Sequence, residues 1–241
     1  MESYNVKRIG EIREILHNSN HAVFFGGAGV STESGIPDFR GSGGLYSDQS
    51  NEYFLSRTCL ENEPERFFEF YRRNMIFPDA KPNTTHKVLA ELEKKGIIKA
   101  VITQNIDGLH QSAGSKNVIE LHGTTSLCYC MKCKKSYDAS FVNSGKGVPL
   151  CPSCSGIIRP DVTLYEENLD GFSIYSAKNH VDMADVLIVG GTSLNVYPAA
   201  GFVAEYRGKH LIIINLSPTP YDGQAEYVIR EPLGEVFNRL Q

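Results

Sequence analysis

The chain has 241 residues, 41% of them hydrophobic and 22% charged, with a formal net charge of −4. That length can bury a sizeable core. The charge balance offers no basic face, so neither nucleic acid nor an anionic membrane is expected as a direct partner. Met1 to Leu16 is charged and carries no apolar core of a signal peptide. The longest apolar runs, such as Leu211 to Ile214, are strand-sized and far short of the ~18 residues of a spanning helix. A cytoplasmic, reducing location follows, in which six cysteines are poor candidates for disulfides.

Val6, Ile9, Ile12, Ile15 and Leu16 recur at helical spacing and predict an opening amphipathic helix. Ser19 and Asn20 break it, and Ala22-Val23-Phe24-Phe25 reads as a short buried strand. A glycine-dense turn follows (Gly26, Gly27, Gly29), then Ser31-Thr32-Glu33-Ser34-Gly35. Glycines there let backbone approach a phosphate, with N–H groups of a following helix start holding the anion. A glycine turn after any buried strand looks similar, however. Thr32 also stands where the third glycine of the dehydrogenase fingerprint belongs, which disfavours hydride transfer.

Residues from about 41 to 83 open on a glycine- and serine-rich loop and continue as helical, aromatic-rich sequence (Phe67, Phe68, Phe70, Tyr71). Thr85 to Lys95 then reads as a helix and Ala100 to Thr103 as a strand. Thr103-Gln104-Asn105-Ile106-Asp107 places amide- and hydroxyl-binding side chains at the strand end where nucleotides generally bind. In Glu120-Leu121-His122-Gly123, the histidine is either a packed or surface residue or a general base. Further strands are Val186 to Val189, before Gly190-Gly191-Thr192-Ser193; Leu211 to Ile214, before Asn215; and Tyr227 to Ile229. Apolar strands alternating with helices indicate an α/β fold with a parallel sheet covered on both faces.

Residues from about 128 to 156 break that alternation. Cys130-x-x-Cys133 and Cys151-x-x-Cys154, separated by positions 134 to 150, have the spacing of a four-cysteine zinc ribbon. Four thiolates close a tetrahedron and leave no position for a reacting water, so the metal would be structural. A redox CxxC is the rival reading, weakened by the second pair. Cys128 can compete as a ligand, although its spacing to Cys130 is wrong for the usual turn, and Cys59 reads as a small core residue.

Taken together, Gly-Ala-Gly-Val-Ser, Gly-Ile-Pro-Asp-Phe-Arg, Thr-Gln-Asn-Ile-Asp, Glu-Leu-His-Gly, the paired CxxC and Gly-Thr-Ser-Leu resemble the sirtuins, in order, from about His21 to Asn215. The resemblance implies a large Rossmann-like domain (about 1–40, 84–127 and 157–241). It also implies a small lobe built from a helical insertion (about 41–83) and the zinc ribbon (about 128–156). It implies an NAD-dependent deacetylase acting on acetyl-lysine proteins or peptides, with products nicotinamide, free lysine and O-acetyl-ADP-ribose.

By the same resemblance His122 is the catalytic base, with Asn105 beside it. Ala28, Thr32, Phe39, Arg40 and Gln104 line the dinucleotide site, and Ile106 and Asp107 hold the nicotinamide amide. Thr192, Ser193, Asn215, Leu216 and Ile229 contact the adenosine half. Two departures from the family pattern stand out. Tyr165-Glu166-Glu167 has glutamate where many relatives have glycine in a substrate-pairing segment. Tyr71-Arg72-Arg73-Asn74 lacks arginine at the spacing found in desuccinylating members. The alternatives are an NAD glycohydrolase or mono-ADP-ribosyltransferase in the same cleft, and a non-enzymatic nucleotide-sensing or zinc-ribbon module.

Overall fold

The continuous apolar runs form strands, in a computed structural model that describes residues 2–38, 51–195, 197 and 199–241. β1 (Ala22–Gly26), β2 (Ile98–Thr103), β3 (Val118–Glu120), β7 (Val186–Gly190), β8 (His210–Ile214) and β9 (Tyr227–Ile229) form one six-stranded sheet in the order β3-β2-β1-β7-β8-β9. Every adjacent pair is parallel. Successive side chains point to opposite faces, so Phe24 packs into one core while Val23 and Phe25 pack into another.

The first core is closed by α1 (Glu2–His17), α5 (Thr84–Lys94) and α10 (Leu233–Leu240). Ile9, Ile12 and Leu16 of α1 are buried there as their spacing predicts, whereas Val6 is exposed. The second core is closed by α8 (Gly171–Met183) and α9 (Ala199–Ala204), through Ala177, Val181, Phe202 and Val203. The chain winds outward from β1 through β2 to β3, and in the other direction from β7 to β9. A crevice therefore opens beyond the carboxyl ends of β1 and β7, at the switch point of the sheet.

The two segments that broke the alternation pack on each other. One supplies α2 (Asn51–Phe54), α3 (Arg57–Asn62) and α4 (Pro64–Asn74). The other supplies β4 (Gly123–Cys130), β5 (Ser136–Asp138), α7 (Ser140–Asn143) and β6 (Ile158–Val162). The strands form an antiparallel sheet in the order β5-β4-β6. Leu60, Phe67, Phe68 and Tyr71 share one core with Cys128, Val142, Ile158 and Leu164. The sheet runs from Gly123 to Val162, beyond residues 128–156 on both sides, because the cysteine- and lysine-rich composition marks the loops and not their supporting strands. The glycine- and serine-rich stretch at 41–50 lies outside the described residues. Short α6 (Leu109–Ala113) follows β2. Among the described residues no helix is long and apolar enough to cross a membrane.

Candidate active-site cleft and metal centre

The segments following β1, β2, β3, β7 and β8 meet the small lobe around a cleft of about 1270 Å³. The glycines of the first segment serve protein packing. Gly29 N donates to Gly191 O at 2.8 Å, and a Cβ on Gly29 would lie 2.8 Å from Gly191 Cα. Gly191 itself has φ +61°, so the loops after β1 and β7 touch backbone to backbone. The helix start expected after the glycines is replaced by two single 3₁₀ turns, Ala28–Val30 and Thr32–Ser34. Ser31 between them is drawn inward by polar bonds, and Gly35 at φ +85° ends the second turn.

Those bonds link three segments. The Ser31 hydroxyl donates to Asp107 Oδ2 at 2.6 Å and accepts from Asn105 Nδ2 at 3.0 Å. Asp107 Oδ1 accepts from Leu109 N, so the carboxylate is fixed on both oxygens. Gln104 Nε2 donates to Thr192 Oγ1 at 3.0 Å, bridging the ends of β2 and β7. Ser31 is 1% exposed and was not among the candidate site residues, although the Gly-Ala-Gly-Val-Ser string placed it one step past the turn.

His122 follows β3, and its Nδ1 lies 2.9 Å from Gln104 O. A carbonyl only accepts, so Nδ1 carries the proton and Nε2 is left as an acceptor. Burial pushes the imidazole pKa below its ordinary value, against the carbonyl bond that raises it. The ring is therefore neutral at physiological pH, with a fixed tautomer.

Ala28, Thr32, Gln104, Asn105, Ile106, Asp107, His122, Thr192, Ser193, Asn215 and Leu216 all line the cleft. Ile229 does not. It is fully buried in the core beneath α10, and only its carbonyl, accepting from Asn215 N, touches the segment that does. Phe39 and Arg40 lie outside the described residues. From the small lobe, Tyr71 and Asn74 reach the cleft, whereas Phe67 and Phe68 are spent on the lobe's own core.

The segment carrying Glu166 crosses the mouth of the cleft. Glu166 holds φ +71°, a left-handed conformation that disfavours a side chain and suits glycine. Its carboxylate accepts from Thr58 N at 3.0 Å and Thr58 Oγ1 at 2.7 Å, in the first turn of α3. Tyr165 N donates to Leu55 O, and Arg57 N donates to Tyr165 O. Glu167 pairs both oxygens with buried Arg159. These bonds offset the backbone cost of a non-glycine residue and fasten the segment to both halves of the small lobe.

Cys130, Cys133, Cys151 and Cys154 bring their sulfurs within 4.8 Å of one another. Cys130 Sγ is 3.5 Å from Cys154 Sγ, and Cys133 Sγ is 3.7 Å from Cys151 Sγ. Sulfurs at ~2.3 Å from a tetrahedral zinc would be ~3.8 Å apart, so the donor set fits that ion. Both pairs are built alike. Lys134 and Ser155, each following the second cysteine of a pair, are left-handed at φ +61° and +57°. Each donates its N–H to the carbonyl of the first cysteine of its pair. Cys128 is buried outside this group, and Tyr137 Oη lies 3.0 Å from Cys151 Sγ.

A family model described as the Sir2 family matches residues 27–198. A Clostridium perfringens protein called NAD-dependent protein deacetylase is 52% identical, over 97% of this chain and 98% of its own. Its Staphylococcus aureus counterpart of the same name is 47% identical, over 95% and 96%. A solved structure of Sir2 with deacetylated p53 peptide and 3'-O-acetyl ADP ribose has a TM-score of 0.90 at 41% identity, covering 96% of each chain. Another, of Sir2 with p53 peptide and NAD+, has a TM-score of 0.86 at 41% identity over 95% of each. Alike in sequence over nearly its whole length and in the arrangement of both lobes, this chain belongs to the Sir2 family.

Proposed function

We propose that the protein is an NAD-dependent protein-lysine deacetylase that transfers the acetyl group of an acetyl-lysine peptide to ADP-ribose. The observation that carries this reading is His122, a neutral base of fixed tautomer in a cleft ringed by the amide and hydroxyl groups a dinucleotide needs. Its relatives' names and the ligands of the similar solved structures support it.

Bound NAD supplies the ribose carbon that receives the acyl oxygen as nicotinamide departs. Gln104 and Thr192 hold the floor of the dinucleotide site, and Ala28 and Thr32 flank it. Ile106 and Asp107 hold the nicotinamide amide, with Asn105 beside them. Ser193, Asn215 and Leu216 face the adenosine half. His122 Nε2 takes a proton by way of the ribose hydroxyls, which a neutral imidazole with a free lone pair can do. Zinc on the four thiolates supports the lobe that forms the other wall and takes no part in the chemistry. Cysteine use of this kind suits a reducing compartment such as the cytoplasm.

Mass spectrometry of products from NAD and an acetyl-lysine peptide tests the reading. Nicotinamide, free lysine and O-acetyl-ADP-ribose are expected together. Nicotinamide released equally well without peptide would replace the reading with a glycohydrolase, and no release at all would end it.

The same cleft limits the acyl group. Among the described residues lining it there is no lysine or arginine, while Glu33, Asp38, Asp107, Glu166, Glu167 and Glu231 are all present. Arg72 is turned away, donating to Val142 O and Gly147 O. Asn74 donates its amide to Phe70 O. A succinyl carboxylate would enter unpaired, at a cost of several kcal/mol that a bidentate arginine would offset. Acetyl-lysine peptides are therefore expected to show kcat/KM at least about 10-fold above succinyl-lysine peptides of the same sequence, or ~1.4 kcal/mol. Asn74→Arg should narrow the gap. Equal turnover of both peptides by the wild-type chain would refute this account of the cleft wall.

A further inference from the structure

Asn83 precedes α5 and does not line the cleft, yet it holds the segment that does. Its Nδ2 donates to Val30 O at 2.7 Å and to Ser34 Oγ at 3.0 Å. A carbonyl accepts only, so the amide orientation is fixed by Val30 and both amide hydrogens are used. The same side chain's Oδ1 accepts from His86 N and caps α5, while Asn83 N donates to His86 Nδ1. One residue thus closes a helix at its oxygen and clamps the two 3₁₀ turns at its nitrogen.

The clamp works from outside the cleft lining. Val30 and Ser34 bracket Thr32, and Ser31 between them is held from the cleft side by Asp107 and Asn105. Glu33 is held from a third direction, its carboxylate accepting from Gly234 N in α10 at 3.0 Å. Without Asn83, the turn would keep its ties at Ser31 and Glu33 but lose those at its two ends.

His86 completes the clamp. It is fully buried, and its ring lies tilted at 60° to that of His110, itself 1% exposed, with the centroids 4.7 Å apart. Burial holds both rings neutral, as the acceptor role of His86 Nδ1 requires.

We infer that Asn83 is a positioning residue for the cofactor turn, setting NAD affinity through Val30 and Ser34 without touching NAD. The inference rests on the deacetylase reading for its kinetic consequence, though not for its binding consequence. Asn83→Asp separates the two halves of the residue. Aspartate caps a helix as well as asparagine does, so α5 should stay closed and the melting temperature should fall less than in Asn83→Ala. It cannot donate to Val30 O, whereas the Ser34 hydroxyl can turn and donate to it, and the one net hydrogen bond lost corresponds to roughly a 10-fold change.

The expected result is a KM for NAD raised roughly 10-fold in Asn83→Asp, with the KM for acetyl peptide unchanged. Calorimetric titration with NAD alone should show a matching loss of affinity. Asn83→Ala should lose both the cap and the clamp, with lower melting temperature and raised KM. NAD affinity equal to wild type in a folded Asn83→Asp variant would overturn the inference and leave Asn83 a helix cap only. A wild-type chain that deacetylates nothing, while the titration still separates it from the variant, would remove the deacetylase reading and leave the clamp standing.

Discussion

Replacing His122 with alanine is expected to lower deacetylation at least about 10²-fold, the usual scale for loss of a general base. NAD binding should survive, since Gln104 loses only the imidazole bond at its carbonyl and keeps its side-chain tie to Thr192 and its backbone tie to Gly26, while the turn after β1 is held without the ring. The pH profile carries the sign of the argument. The ring must be neutral to accept a proton, and burial lowers its pKa from the ordinary 6.5. The acid limb of kcat/KM should therefore fall below pH 6.5, with activity lost as the ring becomes charged. His122→Gln should abolish that limb together with the activity. Near-normal turnover in the alanine variant would take His122 out of the reaction, and an acid midpoint well above 6.5 would contradict its buried setting.

Cys151→Ser should release the metal and most of the activity while leaving the six-stranded domain folded. The prediction follows from how the cores are divided. The two clusters flanking the large sheet contain none of the four ligand cysteines, whereas the small-lobe cluster contains Cys130 and Cys151 with the helical insertion packed against them. Zinc at such thiolate sites supplies on the order of 10 kcal/mol of folding free energy. Without it Leu60, Phe67 and Tyr71 lose the partners that bury them, and the cleft loses a wall. Native mass spectrometry should find one zinc in the wild type and none in the variant, with most far-UV ellipticity retained. Zinc retained by the variant, or complete unfolding, would each refute this division.

The large sheet was legible because Val186 to Val189, Leu211 to Ile214 and Ala22 to Phe25 are uninterrupted apolar runs, which only a strand buried on both faces requires. α8 was not, for its exposed face carries Phe172, Tyr175 and Met183 and so blurs the helical period. The strands of the small sheet were hidden for a related reason. β5 has three residues, two of them exposed, and β4 has eight with only Cys128 and Cys130 buried, so neither shows a continuous apolar run. In the cleft, motif strings located His122, Gln104 and Thr192 because their chemistry sits beside glycines at strand ends. Ile229 lies on a strand adjacent to the cleft, with its side chain in the core and its carbonyl bonded to Asn215 N, so any part it takes in the site is through backbone. Asn83 lay outside every such string, since it acts from another segment of the chain, through the Val30 carbonyl and the Ser34 hydroxyl.

The pairing of β1 also sets an order of events in folding. Phe24 pairs with Val101 on one side and Ile188 on the other, so neither edge of this central strand can zip from a nearby turn. Such long closures are slow, whereas the two cysteine knuckles lie close together in the chain and can meet early. The zinc-ribbon segment should thus gain protection first in pulse-labelled hydrogen exchange with zinc present, and β1 among the last. The cleft, assembled from the ends of β1, β2 and β7, would then be finished only when the most distant parts of the chain have found each other.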